Sequence, residues 1–214
     1  MKLLLLDSSS AAIEFAVFEN EKETLRHELS KDENADALVY NMSKHCKEYE
    51  VRINEIDYVS VSNGPGSFTG LRIASAIAKA ICFASDAKLV EVNSLDVLAN
   101  RVETEKLIVP LIFSNSKTQE FYFSKFKRGS LLDRISPYEI GVLPGIINDE
   151  DFFVSNQWVE GYEEKILTFD SSGIISLYQL TLNYISQKKF SDYNTSEPFY
   201  MKEFVPLKSQ KKLL

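Results

Sequence analysis

NGPGSFTGLR, residues 63–72, joins a predicted buried strand to a predicted apolar helix. Its glycines permit backbone angles and close approaches that a side chain prevents, while Pro65 stiffens the turn. Ser67 or Thr69 can cap the following helix, whose first amides are then able to receive an anion. The spacing matches neither a Walker A loop nor a dinucleotide fingerprint. Two interpretations stay open: a tight strand-to-helix connection, and a loop that contacts an anion or nucleotide.

The helix that follows, predicted over residues 71–84, is almost entirely apolar. Its few polar side chains before Ser85 share one stripe, and its alanines allow neighbouring elements to approach closely. Such a helix is buried in the core, in a partner, or in both. A second helix, predicted over residues 35–49, has one apolar face. We expect a partner interface on these two helices, with core packing as the alternative. Its predicted members are Leu38, Met42, Cys46, Ala76, Ala80 and Phe83.

Strand-like segments occur in two similar groups along the chain. The first group covers residues 2–6, 12–18, 25–29, 56–61 and 88–92, and a short helix is predicted at 94–102. The second group covers residues 107–113, 120–127 and 131–135, followed by an irregular segment around Pro137–Gly145, a strand at 166–169 and a helix at 174–185. This recurrence predicts a structural duplication. The pattern indicates an α/β protein with a mixed sheet in each of two lobes, residues 1–103 and 104–214.

The amino-acid composition and net charge argue against several classes of function. The chain has 214 residues with 44% apolar side chains, enough for a sizeable core. The chain has 24 Lys and Arg residues and 31 Asp and Glu residues, which gives a net charge of −7. This charge disfavours binding of nucleic acid by the chain on its own. Two cysteines and two histidines do not make a four-ligand zinc site at usual spacings. No stretch approaches the length of a membrane span, so we expect a cytoplasmic protein.

Two stretches, LLLLDSSS at residues 3–10 and NGPGSFTGLRIASAIAKAI at residues 63–81, closely resemble the TsaB family, formerly YeaZ. The family's signature Gly-Pro-Gly-Ser-Phe-Thr-Gly-(Leu/Val)-Arg-Ile-Gly is unbroken from Gly64 to Ile73 and departs at Ala74. Looser matches follow, so that the resemblance spans nearly the whole chain. They are Asn93-Ser94-Leu95, Glu120-Phe121-Tyr122 and Pro198-Phe199-Tyr200-Met201-Lys202.

The resemblance implies a two-lobed fold of the actin, Hsp70 and sugar-kinase type (ribonuclease H-like). In active proteins of that fold, an Asp in the first turn is followed by Gly and hydroxyl residues that hold phosphates. Here the turn is Asp7-Ser8-Ser9-Ser10, and we expect Asp7 to order it by an Asx-type hydrogen bond. TsaD, the catalytic relative, carries a metal-binding His-x-x-x-His where this chain has Ser94 and Leu98. At residues 115–117 the chain reads Asn-Ser-Lys, where the family commonly has Asp-Ala-Arg.

The resemblance therefore implies a subunit without catalytic residues, metal or cofactor of its own, in the complex that forms threonylcarbamoyladenosine in tRNA. Its expected partners are TsaD and TsaE, with a homodimer when TsaD is missing, and ATP and metal belong to the complex. We expect this chain to contact tRNA only as part of that complex. The alternatives are an independent ATP-dependent enzyme, kinase-like or glycoprotease-like, and a tRNA-binding module whose basic residues gather in 202–212. The residues expected to shape the loop or to touch nucleotide are Asp7, Asn63, Gly64, Gly66, Ser67, Thr69 and Arg72.

Overall fold

The computed structural model describes residues 1–30, 32–33, 35–129 and 131–200. The first lobe is built on a five-stranded sheet in the order β3-β2-β1-β4-β5. Strand β1 pairs antiparallel with β2 and parallel with β4. The leucines of β1, residues 3–6, are fully buried because both faces of the sheet are covered. The strands are β1 (Lys2–Asp7), β2 (Glu14–Glu19), β3 (Lys22–Glu28), β4 (Tyr58–Ser62) and β5 (Lys88–Val92).

The second lobe repeats this topology, which confirms the predicted duplication. Its sheet runs β10-β7-β6-β11-β12, and β6 pairs antiparallel with β7 and parallel with β11. A hairpin, β8–β9, is added to the five-strand plan through pairing of β8 with β6. The strands are β6 (Ile108–Asn115), β7 (Glu120–Phe123), β8 (Phe126–Arg128), β9 (Leu132–Arg134), β10 (Glu139–Val142), β11 (Phe152–Ser155) and β12 (Ile166–Thr168).

Three details of the second lobe differ from the sequence interpretation. The predicted third strand at residues 131–135 is the outer arm of the added hairpin, and β10 is the topological third strand because it pairs with β7. The predicted strand 120–127 is two strands, β7 and β8. Strand β11 was not predicted at all, although it lies at the centre of the sheet between β6 and β12.

In the part of the chain that the structure describes, five α-helices cover the sheets: α1 (Leu38–Glu48), α2 (Phe68–Ser85), α3 (Ser94–Ala99), α4 (Leu143–Ile146) and α5 (Ile174–Ser186). Helices α1 and α2 pack on one face of the first sheet, and α5 packs on its other face. Helix α3 packs against the second sheet, whose opposite face is covered by α4. The layers thus place α3 and α5 between the two sheets. Packing of α5 on the first sheet crosses the sequence division at residue 103.

Among the described residues, α2 is long and apolar enough to span a membrane by length and composition alone. Its inward side chains, including Ala74, Ala78 and Cys82, are buried against the first sheet. A core helix of a folded lobe satisfies the same length and composition test. The packing therefore accounts for the inward side of α2, while its outward side, which includes Phe83, is exposed.

Candidate functional site

The first turn of the chain lies where β1 ends, beside the start of α5. The Asp7 carboxylate accepts hydrogen bonds from the Ser9 backbone N–H at 3.2 Å and the Ser9 hydroxyl at 2.8 Å. Its second oxygen accepts the Gly173 N–H at 2.8 Å, at the beginning of α5. The side chain is 2% exposed. Asp7 therefore orders its own turn, as expected, and also ties that turn to α5.

The glycine-rich loop contacts the first turn of the same chain. Gly64 has a φ of +101°, a conformation that side-chain-bearing residues rarely adopt. A Cβ added at Gly66 would overlap the Ser9 carbonyl oxygen and lie 2.9 Å from the Ser9 carbonyl carbon. The Ser67 N–H donates to that same oxygen at 2.8 Å. The close approach that glycine permits here is thus an approach to backbone.

Further hydrogen bonds hold the loop and the start of α2. The Ser67 hydroxyl accepts the Gly70 N–H at 3.2 Å and so caps the helix. The Ser8 hydroxyl donates to the Gly70 carbonyl at 2.8 Å. At the other end of the loop, Ser94 exchanges two hydrogen bonds with Gly64, one through its hydroxyl and one through its N–H. These contacts favour the interpretation of residues 63–70 as a tight connection.

Asn63 and Arg72 hold the last described segment of the chain. The Asn63 side-chain amide donates to the Glu197 backbone carbonyl at 3.3 Å, and the Asn63 backbone carbonyl accepts the Phe199 N–H at 2.8 Å. The Arg72 guanidinium lies 3.8 Å from the Phe68 ring centroid and donates to the Tyr200 hydroxyl at 3.0 Å. Thr69 is exposed in the first turn of α2. The predicted basic segment 202–212 lies outside the described residues.

Little space adjoins Asp7. The cavity bounded by Asp7, Ser94 and Arg101 has a volume of about 20 Å³, close to the room that one water needs. A larger opening of about 290 Å³ lies beside it, between the glycine-rich loop and β6. The side chains that line this opening in the described part of the chain are uncharged: Ser9, Ser10, Ala11, Ser67, Ile112, Phe113, Asn156 and Gln157. A nucleotide phosphate there would find no cationic side chain among them.

Three features of the cleft were not found from the sequence. Arg101 donates to the Ser171 carbonyl and hydroxyl, each at 2.8 Å, and burial lowers the pKa of its guanidinium. Glu14, almost fully buried, accepts hydrogen bonds from Arg26 on the neighbouring strand β3 and from Ser172, just before α5. The Asn156 side-chain oxygen is buried, and no described residue hydrogen-bonds it. No sequence motif marks these residues, because their partners are distant along the chain.

Ser94 and Leu98, the two positions at which the sequence resemblance led us to look for metal-binding histidines, have structural contacts. Ser94 hydrogen-bonds the glycine-rich loop, and Leu98 is buried in the core against the second sheet. Within the described ranges, no group of three or more His, Cys, Asp or Glu side chains is placed to hold a metal ion.

The six residues predicted for the interface separate into two sets. Leu38, Met42 and Cys46 are at most 5% exposed and belong to the core under α1, so their expected place on an open surface is wrong. A regular helix face has the same sequence pattern whether it meets its own sheet or a partner. Ala76, Ala80 and Phe83 are exposed along one side of α2.

Comparisons with known proteins agree on one group. The family model described as "TsaD: tRNA N6-adenosine threonylcarbamoyltransferase" matches residues 28–136. The chain is 24% identical to the tRNA threonylcarbamoyladenosine biosynthesis protein TsaB of Haemophilus influenzae, covering 97% of this chain and 96% of that protein. It is also 24% identical to the Bacillus subtilis protein of the same name, covering 77% and 67% respectively.

One solved structure shows the same fold. YeaZ from Pseudomonas aeruginosa superposes with a TM-score of 0.75 at 20% identity, covering 94% of this chain and all of that one. Together with the duplicated mixed sheets, this similarity confirms the fold class predicted from the sequence.

Proposed function

The chain belongs to the TsaB (YeaZ) family, within the wider family that the TsaD model describes, and we propose that it acts in threonylcarbamoyladenosine biosynthesis as a non-catalytic subunit that binds TsaD. The complex, which also includes TsaE, would carry the ATP, the metal and the chemistry. The proposed place of action is the cytoplasm.

The observation that carries this proposal is the exposed apolar surface of α1 and α2. We call it the helix face and define it by Val39, Tyr40, Ala76, Ala80 and Phe83. The exposed fractions are 58% for Val39, 69% for Tyr40 and 76% for Phe83. The inward sides of both helices pack on the same face of the first sheet, so their outward sides point away from the lobe together. Exposed apolar side chains on two helices that cover the same face of one sheet make this side of the lobe the candidate for a protein–protein contact.

The geometry of the cleft supports a non-catalytic role. Both oxygens of Asp7 accept hydrogen bonds, from Ser9 and from Gly173, so the carboxylate already has a structural role in ordering its turn and the start of α5. The space directly against it is about 20 Å³, whereas binding sites for small molecules are typically about 300–1,000 Å³. The adjoining opening of about 290 Å³ is lined by uncharged side chains in the described part of the chain. An independent ATP-dependent enzyme, kinase-like or glycoprotease-like, would need a more open site. The net charge of −7 likewise disfavours a separate tRNA-binding module.

The experiment is pairing of the purified chain with TsaD from the same organism, followed by size-exclusion chromatography. The Phe83→Glu variant places a charge on the helix face and should remain folded, because this side chain is largely solvent-exposed. We expect it to elute separately from TsaD. Trp158→Glu is the matched control, since Trp158 is an equally large side chain, 65% exposed, in the second lobe. It should pair normally.

Two results would contradict the proposal. One is a wild-type chain that does not associate with TsaD at micromolar concentrations. The other is ATP turnover by the isolated chain that disappears in Asp7→Ala, because an independent active site in the cleft would then exist. If the wild-type chain alone elutes as a dimer and Phe83→Glu elutes as a monomer, two copies use the helix face when TsaD is missing.

A further inference from the structure

A second cavity lies on another side of the molecule, between the lobes but away from Asp7. Its volume is about 340 Å³, within the range of small-molecule sites. Helices α3 and α5 form two of its walls, and the added hairpin β8–β9 forms the third. Within the described residues the sheet of the first lobe consists of the five shared strands, without a counterpart of that hairpin. The charged and tyrosine side chains that line the cavity are Asp96, Asp133, Arg134, Tyr138, Tyr184 and Lys189.

A carboxylate that lies beside two tyrosines lines the inner part of this cavity. The Tyr138 hydroxyl donates to Asp96 at 2.8 Å, and Tyr184, on α5, lines the same cavity. Burial raises the pKa of Asp96 against the opposing effect of the hydrogen bond from Tyr138. Burial also raises the pKa of Tyr184 to about 12 and raises the pKa of Tyr138 further. A group of perturbed residues in one concave cavity is typical of a binding site.

Two cations lie on the outer faces of the same tyrosines. The Arg134 guanidinium is 4.1 Å from the Tyr138 ring centroid, and the Lys189 ammonium is 5.0 Å from that of Tyr184. In the described part of the chain, neither cation forms an ion pair within 4.0 Å. The cavity therefore contains two cations, each against a tyrosine ring, together with the carboxylate of Asp96.

The charges of the cavity select a type of ligand. Asp96 and Asp133 balance Arg134 and Lys189, so a simple anion or cation meets as much repulsion as attraction. A polyphosphate would place several negative charges beside Asp96. A molecule with an amino group and a carboxylate a few bonds apart can satisfy both signs at once. Leu132 and Leu180 provide apolar wall for a short side chain.

We propose that this cavity binds a small zwitterion of the α-amino acid class, with its ammonium group toward Asp96 and its carboxylate toward Arg134 and Lys189. The proposal does not depend on association with TsaD, because the helix face lies on the opposite side of the first sheet from α5. Its failure would leave the proposed function unaffected.

The test is isothermal titration calorimetry of the full chain with single free amino acids, and with ethylammonium and acetate as probes of one charge each. We expect at least one amino acid to bind with a Kd at or below about 1 mM, and neither single-charge probe to bind comparably. Arg134→Gln and Asp96→Asn should each weaken that binding by about tenfold or more. Lys188→Gln is the matched control, since Lys188 is exposed next to Lys189 without lining the cavity, and it should bind as the wild type does.

Three results would overturn the proposal: no amino acid binds at about 10 mM, a single-charge probe binds equally well, or Arg134→Gln binds like the wild type. Arg134 is exposed, so its variant tests the proposal even if Asp96→Asn does not fold.

Discussion

Replacing Gly66 by alanine tests whether the glycine-rich loop is a structural connection. The new Cβ would overlap the Ser9 carbonyl oxygen and lie 3.0 Å from the Ser9 Cα. The neighbour is backbone, so it cannot rotate away as a flexible side chain would. Relief requires the loop and the first turn to separate, which breaks the hydrogen bond from the Ser67 N–H to the Ser9 carbonyl. Overpacking costs about 1–3 kcal/mol and the lost hydrogen bond about 1 kcal/mol, so unfolding free energy should fall by about 2–4 kcal/mol.

The assay is urea denaturation followed by circular dichroism. With a slope of about 2 kcal/mol per molar urea, the midpoint of Gly66→Ala should fall by about 1–2 M. Gly145→Ala is the matched control, because a Cβ there meets nothing within 4 Å and the residue lies in helix α4. We expect its midpoint to be unchanged or slightly higher. A Gly66→Ala variant as stable as this control would refute the structural account of the loop.

Three further predictions follow from the same structure. Ser67→Ala removes the cap of α2 and should lower the unfolding free energy by about 1 kcal/mol in urea melts, with TsaD pairing intact. Met42→Glu buries a charge under α1, so we expect the variant to be unfolded, as measured by its circular dichroism spectrum. Phe83→Glu should have the spectrum of the wild type. A folded Met42→Glu variant would contradict the placement of Met42 in the core. Burial and the neighbouring His45, whose ring centroid is 4.0 Å away, lower the pKa of His27, so stability present above about pH 6.5 should decrease as the pH falls. The urea midpoint should drop between about pH 7.5 and about pH 5, and drop less in His27→Gln; an equal drop in both would count against this origin.

Much of the fold could be predicted because local patterns and long-range pairing agree. Strand β5 was predicted with its observed ends, Lys88 and Val92, since an alternating run between turn residues is enough. Helix α2 was predicted from its apolar run and its capping serine, and the structure extends it to Phe68–Ser85. The duplication was visible because both lobes begin with the same succession of strands.

The second lobe shows where local patterns fail. Strand β10 carries Gly141 and follows Pro137, which locally indicate a loop, and it becomes a strand by pairing with β7. Strand β11 has only four residues and is stabilised by parallel neighbours more than 10 residues away on either side. Non-local pairing decides both cases, and it is not encoded in a short window of sequence.

The sequence predicts where the candidate site lies but not which groups touch each other there. The glycines of residues 64–70 indicate that another group approaches the loop closely, but the sequence does not identify that group as the Ser9 backbone. The apolar positions of α1 fit both a core and an interface, and only the packed sheet identifies them as core. The Asp96 cavity combines residues from three distant segments and could be found only in three dimensions.

The central claim is that this chain supports TsaD without supplying chemistry. The most direct measurement is formation of threonylcarbamoyladenosine on tRNA in a reaction reconstituted from purified TsaD, TsaE and this chain, with the required substrates. We predict that product forms only when the chain is present, that Phe83→Glu abolishes its contribution and that Trp158→Glu preserves it. Product formation at the same rate without the chain, or by the chain in the absence of TsaD, would contradict the account.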